Sequence, residues 1–392
     1  MPNPKKILVS FLGKTKDSRS YDETAYAMPG GEIFKTRFIG MDLARQLKVD
    51  RLVLLGTKTS MWDNLILEYL KEEGRLDSFD GESFDEKLRL VEDILSKTLN
   101  MTVKAVEIPM GRTEAEQLHI LEVLAQHIDK KDEVSIDVTH GFRHIPMLSI
   151  LAASYLVTVK DIKMKDFYYG ALDMKENGVC PILTLSGYSK LLNWVRAMER
   201  FEGSGNFGVF SPLYKLEGVE SQSLASAAFF ERTNQVRDAR GKLSTFRQHD
   251  EEVVSRSPLL RLFHPILQER TSWYKKQHRY EYELELADFY RKKQDWGRAI
   301  IYLLEGYYSR EIEKIGQNPD NFEVRSRMKE DIKLDEERNP LIYTLTCIRN
   351  IVAHTKFEDR GTTHDQKVNQ YLSSEERLTS FLGEMTKSIR NG

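Results

Sequence analysis

The stretch that decides the fold is EVSIDVTHGFRHIPMLSILAASYLVTV, residues 133–159. Its first part, Glu133 to Val138, is a short apolar run that is typical of a buried strand. A small polar loop follows, and Ile145 to Val159 is then a continuous apolar segment with Pro146 in the first turn of a predicted helix. A strand, a glycine-containing loop and a helix in this order predict one unit of an α/β sheet.

The same alternation continues on both sides of this stretch. Predicted strands cover Lys6 to Leu12, Arg51 to Leu55 and Thr102 to Ile108, and predicted helices cover Ile33 to Lys48, Met61 to Glu73, Glu86 to Leu99 and Glu114 to Ile128. Further on, Asp166 to Leu172 and Val179 to Leu185 are predicted to form a hairpin through a turn at Asn177–Gly178. Strands separated by helices indicate a mostly parallel sheet, which binds ligands at the carboxyl ends of its strands.

The pattern changes after Gly187, and nearly every readable segment from there is helical. The clearest is Trp296 to Ile315, where Ile300, Leu303 and Tyr307 recur with helical spacing. We therefore expect an α/β N-terminal domain, a helical connector and an all-α C-terminal domain.

Composition excludes several classes of protein. The 392 residues include 58 Lys plus Arg and 60 Asp plus Glu, a net charge of −2, so the chain is not a general coat for nucleic acid. Two cysteines, Cys180 and Cys347, are too few for a disulfide framework or a Cys-rich zinc site. The apolar run that ends at Leu12 is too short for a secretory signal, and Ile145 to Val159 falls short of the ~20 residues of a membrane span. We expect a soluble cytoplasmic protein.

Four predicted strand ends carry small, polar or basic residues. These loops are Gly13-Lys14-Thr15, Gly56-Thr57-Lys58-Thr59-Ser60, Met110-Gly111-Arg112-Thr113 and Thr139-His140-Gly141-Phe142-Arg143-His144. Glycines let backbone N–H groups approach a ligand, and basic and hydroxyl side chains suit phosphate. The alternative is that strand-end loops are polar in any protein. The His140 and His144 pair has no adjacent Glu, so we do not predict a metal site.

A second candidate site lies in NPLIYTLTCIRNIVAH, residues 339–354. Asn339 is a good N-cap and Pro340 suits the first helical position, so a helix is predicted to begin here. The predicted apolar face of this helix consists of Leu341, Leu345, Ile348 and Val352.

Arg349 and His354 lie five residues apart, about 140° around a helix axis and ~7.5 Å along it. One helix therefore cannot easily place both on a single phosphate, whereas two such helices about a two-fold axis could. The alternative is a histidine that ends a helix near its C-terminal dipole, with a solvated arginine.

These motifs together resemble the CARF–HEPN ribonucleases of type III CRISPR systems. RNIVAH, residues 349–354, resembles the HEPN signature, and FLG, LLGTKTSMW, IPMGRTEAE and DVTHGFRH resemble the loops that follow successive strands of CARF domains. The resemblance implies a Rossmann-like CARF domain over residues 1–187, a helical connector over 188–279 and a HEPN domain over 280–392.

The resemblance also implies a homodimer, or a higher assembly of dimers, that binds a cyclic oligoadenylate across its two-fold axis and then cleaves RNA. The residues that match the ligand-binding loops are Gly13, Lys14, Thr57, Lys58, Met110, Gly111, Thr139, His140, Gly141 and Arg143. Cyclic tetra-adenylate is the commoner activator in such relatives, and the sequence does not exclude the hexa-adenylate. It also leaves open whether Thr139 and His140 take part in slow cleavage of the ring.

Cleavage in this family needs no metal and no cofactor, because the RNA 2′-hydroxyl attacks its own adjacent phosphate. His354 is the residue expected to assist proton transfer, since its unperturbed pKa of ~6.5 lies near neutral pH. Arg349 is expected to hold the phosphate oxygens, and Asn350 to orient the phosphate or His354.

A rival interpretation is a transcriptional regulator that senses a cyclic oligonucleotide and binds DNA through its helical region, without nuclease activity. Between Ser255 and Ile300 there are 10 Lys or Arg and 6 Asp or Glu, interleaved with aromatic residues. The alternative for this segment is a solvated helical surface with mixed charge. RNIVAH favours the nuclease, because a DNA-binding regulator does not need it.

Overall fold

The computed structural model describes residues 3–15, 20–73, 83–141, 144–248, 250–333, 339–354 and 363–391. The chain forms two compact units, Met1–Leu192 and Asn193–Gly392. Arg143 lies outside the described residues. Within the described ranges, no helix combines the length and the apolar character that a membrane crossing requires.

The first unit is an α/β domain. Its strands are β1 Lys6–Leu12, β2 Thr24–Ala27, β3 Ile33–Thr36, β4 Arg51–Gly56, β5 Thr102–Glu107, β6 Glu133–Asp137, β7 Lys163–Gly170 and β8 Val179–Thr184. Its helices are α1 Ile39–Leu47, α2 Trp62–Glu73, α3 Phe84–Leu99, α4 Glu114–Gln126 and α5 His144–Lys160, and α6 Ser186–Ser204 leads out of it.

The described strands form one sheet in the order β3-β2-β8-β7-β6-β1-β4-β5. The five strands β7, β6, β1, β4 and β5 are parallel to one another, as the alternation of strands and helices predicts. β8 pairs antiparallel with β7, and Asn177 and Gly178 both have positive φ in the turn before it, which confirms the predicted hairpin. The parallel part has the strand order of a Rossmann-like sheet, which reverses between β1 and β6.

Side chains of the central strands enter two separate cores. In β1, Leu8 and Leu12 pack with α1, α2 and α3 on one face, whereas Ile7, Val9 and Phe11 pack with α4 and α5 on the other. A strand that is covered on both faces is apolar at almost every position, which is why KILVSFL reads as a continuous run.

The predicted helix over Ile33 to Lys48 is wrong in its first part. Residues Ile33–Thr36 form β3, an edge strand antiparallel to β2, and the helix begins only at Ile39. The Thr36 hydroxyl accepts a hydrogen bond from the Phe38 amide at 3.0 Å, a local turn that separates the strand from the helix. β2 itself was not expected, because its four residues are too few to show a period.

The second unit is helical. Its helices are α7 Ser211–Leu216, α8 Gln222–Arg232, α9 Val236–Arg247, α10 Asp250–Arg256, α11 Pro258–Thr271, α12 Arg279–Lys292, α13 Trp296–Lys314, α14 Phe322–Lys333, α15 Pro340–His354, α16 Thr363–Leu372 and α17 Glu375–Asn391. One apolar core runs from Trp194 to Ile389, so the residues predicted as connector and as HEPN domain pack together. The predicted domain boundaries stay a prediction.

Candidate functional site

The first candidate site lies at the carboxyl edge of the sheet, where the strand order reverses between β1 and β6. Open α/β sheets bind ligands in the crevice at this switch point. A Cβ atom on Gly13 would lie 3.0 Å from the Gly141 amide nitrogen and 2.6 Å from the Tyr21 hydroxyl. Only glycine therefore allows the loop after β1 to approach the loop after β6 this closely, and Gly141 has a φ of +105°.

The loop after β6 is held by the buried carboxylate of Asp137. Asp137 Oδ2 accepts a hydrogen bond from the Ser10 hydroxyl at 2.7 Å, and Oδ1 accepts from the amide and the hydroxyl of Thr139 at 3.0 and 2.6 Å. The Thr139 hydroxyl in turn accepts from the Gly170 amide at 2.8 Å. Thr139 thus positions the loop. Asp137 was not predicted as a site residue, because the sequence shows only a carboxylate at the end of an apolar strand.

The loop after β4 is fastened to the loop after β1. The Ser60 hydroxyl donates to the Leu12 carbonyl at 2.7 Å, and the Met61 amide donates to the Gly13 carbonyl at 3.1 Å. Thr57 is 4% exposed, and its carbonyl accepts from the Trp62 indole at 2.9 Å. The Thr57 hydroxyl lies 3.2 Å from the Thr59 hydroxyl and 3.3 Å from the Ser60 hydroxyl, so this side chain faces its own loop. Its predicted contact with a ligand stays a prediction.

The loop after β5 joins the same edge through His144. Its Nε2 lies 2.7 Å from the Met110 carbonyl, and a carbonyl only accepts, so Nε2 carries the proton. A Cβ atom on Gly111, whose φ is +70°, would lie 2.9 Å from this nitrogen. Met110 and Gly111 are thus held beside the start of α5.

The structure brings four of the predicted ligand contacts to one small cavity. Gly13, Lys14, Thr57 and Gly141 line it, and its volume is about 50 Å³. A cavity of this size admits only a water molecule or two. A large anionic ligand would lie across the edge of the sheet, where the exposed side chains of Lys14 and Lys58 can reach it.

His140 stacks on Tyr21 at this edge, with ring centroids 4.1 Å apart and an interplanar angle of 9°. Burial lowers the pKa of His140, and the nearby Asp137 charge opposes this only in part. Burial also raises the pKa of Tyr21. Within the described part of the chain, His140 Nε2 is a buried nitrogen with no hydrogen-bond partner.

The second candidate site is on α15. The Asn339 carbonyl accepts from the Tyr343 amide at 3.0 Å at the start of the helix, and Ile342, Leu345 and Ile348 are buried in the core. The predicted apolar face is therefore wrong at two positions, because Leu341 and Val352 are 49% and 43% exposed. The helix is rotated so that Ile342 takes the inward position.

The three predicted catalytic side chains lie along the outer side of α15. Arg349 is half-buried, and Asn350 and His354 are exposed. Burial raises the pKa of Tyr308 on the neighbouring helix α13, and a hydrogen bond with Thr346 and the positive charge of Arg349 oppose this rise. His354 occupies the last position of α15.

The comparisons with known proteins concern the unit that carries the first of these sites. Residues 7–173 match the model of the CARF domain of CRISPR system endoribonuclease Csx1. The α/β unit is similar to a CARF domain. The match runs from β1 to the short 3₁₀ helix after β7, and it therefore includes all four loops of the candidate edge.

A curated relative extends the similarity. The CRISPR-associated protein MJ1674 of Methanocaldococcus jannaschii is 25% identical over 405 aligned residues, which cover 91% of this chain and 63% of that protein. The chain thus spans less than two thirds of the length of this relative. The comparisons thus show that the α/β unit is similar to a CARF domain and that the chain is similar to a CRISPR-associated protein, and the predicted HEPN domain stays a prediction.

We expect Asp137→Ala to destabilise the N-terminal unit by about 3 kcal/mol or more, because two hydroxyls and a backbone amide lose their acceptor at roughly 1–3 kcal/mol each. Asp137→Asn keeps one acceptor oxygen and is expected to fall between the wild type and Asp137→Ala. Scanning calorimetry of the full chain measures the change. Asp173→Ala, at an exposed carboxylate, is the control and should stay within about 0.5 kcal/mol. Equal stability of Asp137→Ala and Asp173→Ala would contradict the assignment.

The lowered pKa of His140 predicts a pH dependence of stability. The unfolded chain takes up a proton near pH ~6.5 that the folded chain resists, so the free energy of unfolding falls as the pH drops below that value. His140→Phe keeps the ring stack and removes the titration, so thermal unfolding between pH 7.5 and 5 should become less pH-dependent.

In His140→Phe, the loss of stability at low pH should be smaller than in the wild type but not absent, because burial and the neighbouring Arg51 also lower the pKa of His127. If the unfolding temperature of His140→Phe depended on pH as strongly as that of the wild type, His140 would not be the group responsible.

Proposed function

We propose that this chain is a cytoplasmic, CRISPR-associated endoribonuclease that cleaves single-stranded RNA when a cyclic oligoadenylate binds its α/β unit. Cyclic tetra-adenylate is the favoured activator. The observation that carries the proposal is the convergence of the loops after β1, β4 and β6 on the switch-point crevice, in a unit that matches a CARF domain.

The chemistry of the edge suits a ring of phosphates. Gly13 and Gly141 line the crevice, and the exposed Lys14 supplies positive charge beside it. Lys58 is also exposed, and its ammonium group lies 3.8 Å from the Glu107 carboxylate. A cyclic tetranucleotide has two-fold symmetry and is far larger than the cavity of about 50 Å³. It would therefore lie across two copies of the edge, each of which contributes the same loops.

The residues of α15 suit metal-independent cleavage. The 2′-oxygen attacks the adjacent phosphorus, the bond to the 5′-oxygen breaks, and the products are a 2′,3′-cyclic phosphate and a 5′-hydroxyl. His354 would take the 2′-hydroxyl proton or protonate the leaving oxygen, and Arg349 would stabilise the charge on the phosphate. Arg349 and His354 lie about 140° apart around the axis of the same helix, so one copy cannot easily place both on a single phosphate. A second copy would therefore complete the site.

The charge pattern of the helical unit gives little support to the DNA-binding alternative. Of the ten Lys and Arg residues between Ser255 and Ile300, eight form ion pairs with carboxylates of the same chain. Arg270, for example, is buried against Glu231. Paired and buried cations are poorly placed to contact a phosphate backbone.

Variants of the two sites should separate binding from cleavage. We expect Lys14→Ala to raise the cyclic tetra-adenylate concentration that gives half-maximal cleavage by about tenfold, with the maximal rate unchanged. His354→Ala and Arg349→Ala should each lower the maximal rate by roughly 10²–10⁴-fold and leave activator affinity unchanged. Cleavage of a fluorescent RNA reporter gives the rates, and calorimetric titration gives the affinity.

Two variants serve as matched controls. Lys97→Ala changes an exposed lysine near the end of α3, at the amino edge of the sheet, and His119→Ala changes an exposed histidine of α4. Both should behave as the wild type in each assay. Wild-type cleavage by His354→Ala or by Arg349→Ala would remove that residue from the proposed active site, and unchanged affinity of Lys14→Ala would remove Lys14 from the binding edge.

A further inference from the structure

A groove of about 610 Å³ lies on the surface of the helical unit, beside α15. The turn between α12 and α13 and the first residues of α17 form much of its lining, and Val352 of α15 is part of it. Binding sites for small molecules have volumes of about 300–1,000 Å³, so the groove has room for one nucleoside.

The groove adjoins the side of α15 that carries Arg349. Val352 is 43% exposed and follows Arg349 by three positions, and residues with this spacing lie on the same side of a helix. A phosphate held by Arg349 would therefore place a neighbouring nucleotide of the same RNA strand beside the groove.

The cationic side chains that line the groove are held by carboxylates of the same chain. The Lys293 ammonium group donates to the Glu202 carboxylate at 2.5 Å, and the Arg298 guanidinium lies 3.1 Å from the Asp295 carboxylate. Cations that are paired in this way are poorly placed to bind a phosphate. The groove therefore suits an uncharged group with polar edges better than it suits a phosphate.

The lining of the groove has an apolar part and a hydrogen-bonding part, as the binding of a nucleobase requires. Trp296, at the first position of α13, is half-buried and lines the groove together with Val352. The flat face of a tryptophan is a surface on which any base can stack. Gln294, Ser374 and Glu375 line the same groove, and polar side chains of these kinds form hydrogen bonds with the edge of a base.

Gln294 occupies a backbone position that favours glycine. It follows the C-cap of α12 with a φ of +59°, and the Asp295 amide donates to the Tyr290 carbonyl at 2.9 Å, which closes a Schellman motif around it. The side-chain nitrogen of Gln294 donates to the Glu375 carboxylate at 2.5 Å. Because a carboxylate only accepts, the amide nitrogen faces Glu375, and the amide oxygen is turned away from it and can accept from a ligand.

We propose that the groove binds a nucleobase of the RNA next to the phosphate that is cleaved, and that it favours bases with an exocyclic amino group over uracil. The inference rests on the proposed function and adds base recognition to it. Trp296 stacks on the base, and the Gln294 amide oxygen and the Glu375 carboxylate accept from its amino group. Adenine, cytosine and guanine carry such a group, whereas uracil presents carbonyl oxygens, which a carboxylate repels.

Fluorescence polarisation with an RNA that cannot be cleaved tests the inference. A labelled 2′-O-methyl oligoadenylate lacks the attacking hydroxyl, and the matched oligomer of purine riboside differs from it only in lacking the amino groups. We expect the wild-type full chain to bind the purine riboside oligomer about tenfold more weakly than the oligoadenylate, both with and without cyclic tetra-adenylate.

Gln294→Gly removes the amide and keeps the backbone, because glycine readily adopts a positive φ, and it should reduce this difference in affinity to about threefold or less. Asn234→Gly is the matched control and should keep the tenfold difference. Asn234 has a φ of +60° at the same position after α8, and it lies outside the lining of the groove.

Three results would each overturn the inference: equal affinity of the wild type for the two oligomers, no detectable binding of either, or an undiminished difference in Gln294→Gly. Because neither oligomer can be cleaved, a failure here is distinct from a failure of the proposed nuclease activity.

Discussion

The carboxylate of Asp137 is the constraint on which the candidate binding edge depends. It lies at the end of β6, accepts from Ser10 of β1 and from Thr139, and Thr139 accepts from Gly170 at the end of β7. Three adjacent strands are thus joined at their carboxyl ends by one buried acceptor. A buried carboxylate is stable only when such donors satisfy it, so the loop after β6 has a single favourable position. The crevice beside Gly13 and Gly141 follows from that position.

The fold was largely predictable from the sequence, and the exceptions have physical reasons. Strands such as KILVSFL are buried on both faces and are therefore recognisable as apolar runs, and helices such as α1 and α3 have apolar residues at helical spacing. The segment Ile33–Thr36 was not recognisable as a strand, because β3 and its partner β2 have only four residues each, and because the break from strand to helix depends on one hydroxyl, that of Thr36. Leu341 and Val352 show that a period alone does not fix which side of α15 is buried.

For the first candidate site, the sequence predicted which loops meet but not how they are held. The loops after β1, β4 and β6 do meet at the carboxyl edge of the sheet, whereas the hydrogen bonds that Thr57 and Thr139 make within these loops could not be predicted. Thr57 and Thr139 serve the loops themselves, and Asp137 went unnoticed because a single letter in an apolar run does not reveal its partners. The exposure of Met147, Leu151, Tyr155 and Val159 on α5 could not be predicted either. A helix that is apolar on every side has no period from which its exposed side could be identified.

The helical unit holds part of its positive charge internally. Arg270 is buried against Glu231, and the Tyr290 hydroxyl donates to the same carboxylate at 2.6 Å. Under the proposed function, cations held in this way would not contact RNA, so they would contribute nothing to its binding.

The most direct test is cleavage of a fluorescent single-stranded RNA by the wild-type chain with cyclic tri-, tetra- or hexa-adenylate, in the presence of EDTA. We predict rapid cleavage with one ring, with cyclic tetra-adenylate expected to be that ring, and little cleavage without an activator. The products should carry 2′,3′-cyclic phosphates. The absence of cleavage with all three rings would contradict the nuclease and favour a non-catalytic regulator, and cleavage that EDTA abolishes would contradict the metal-independent mechanism.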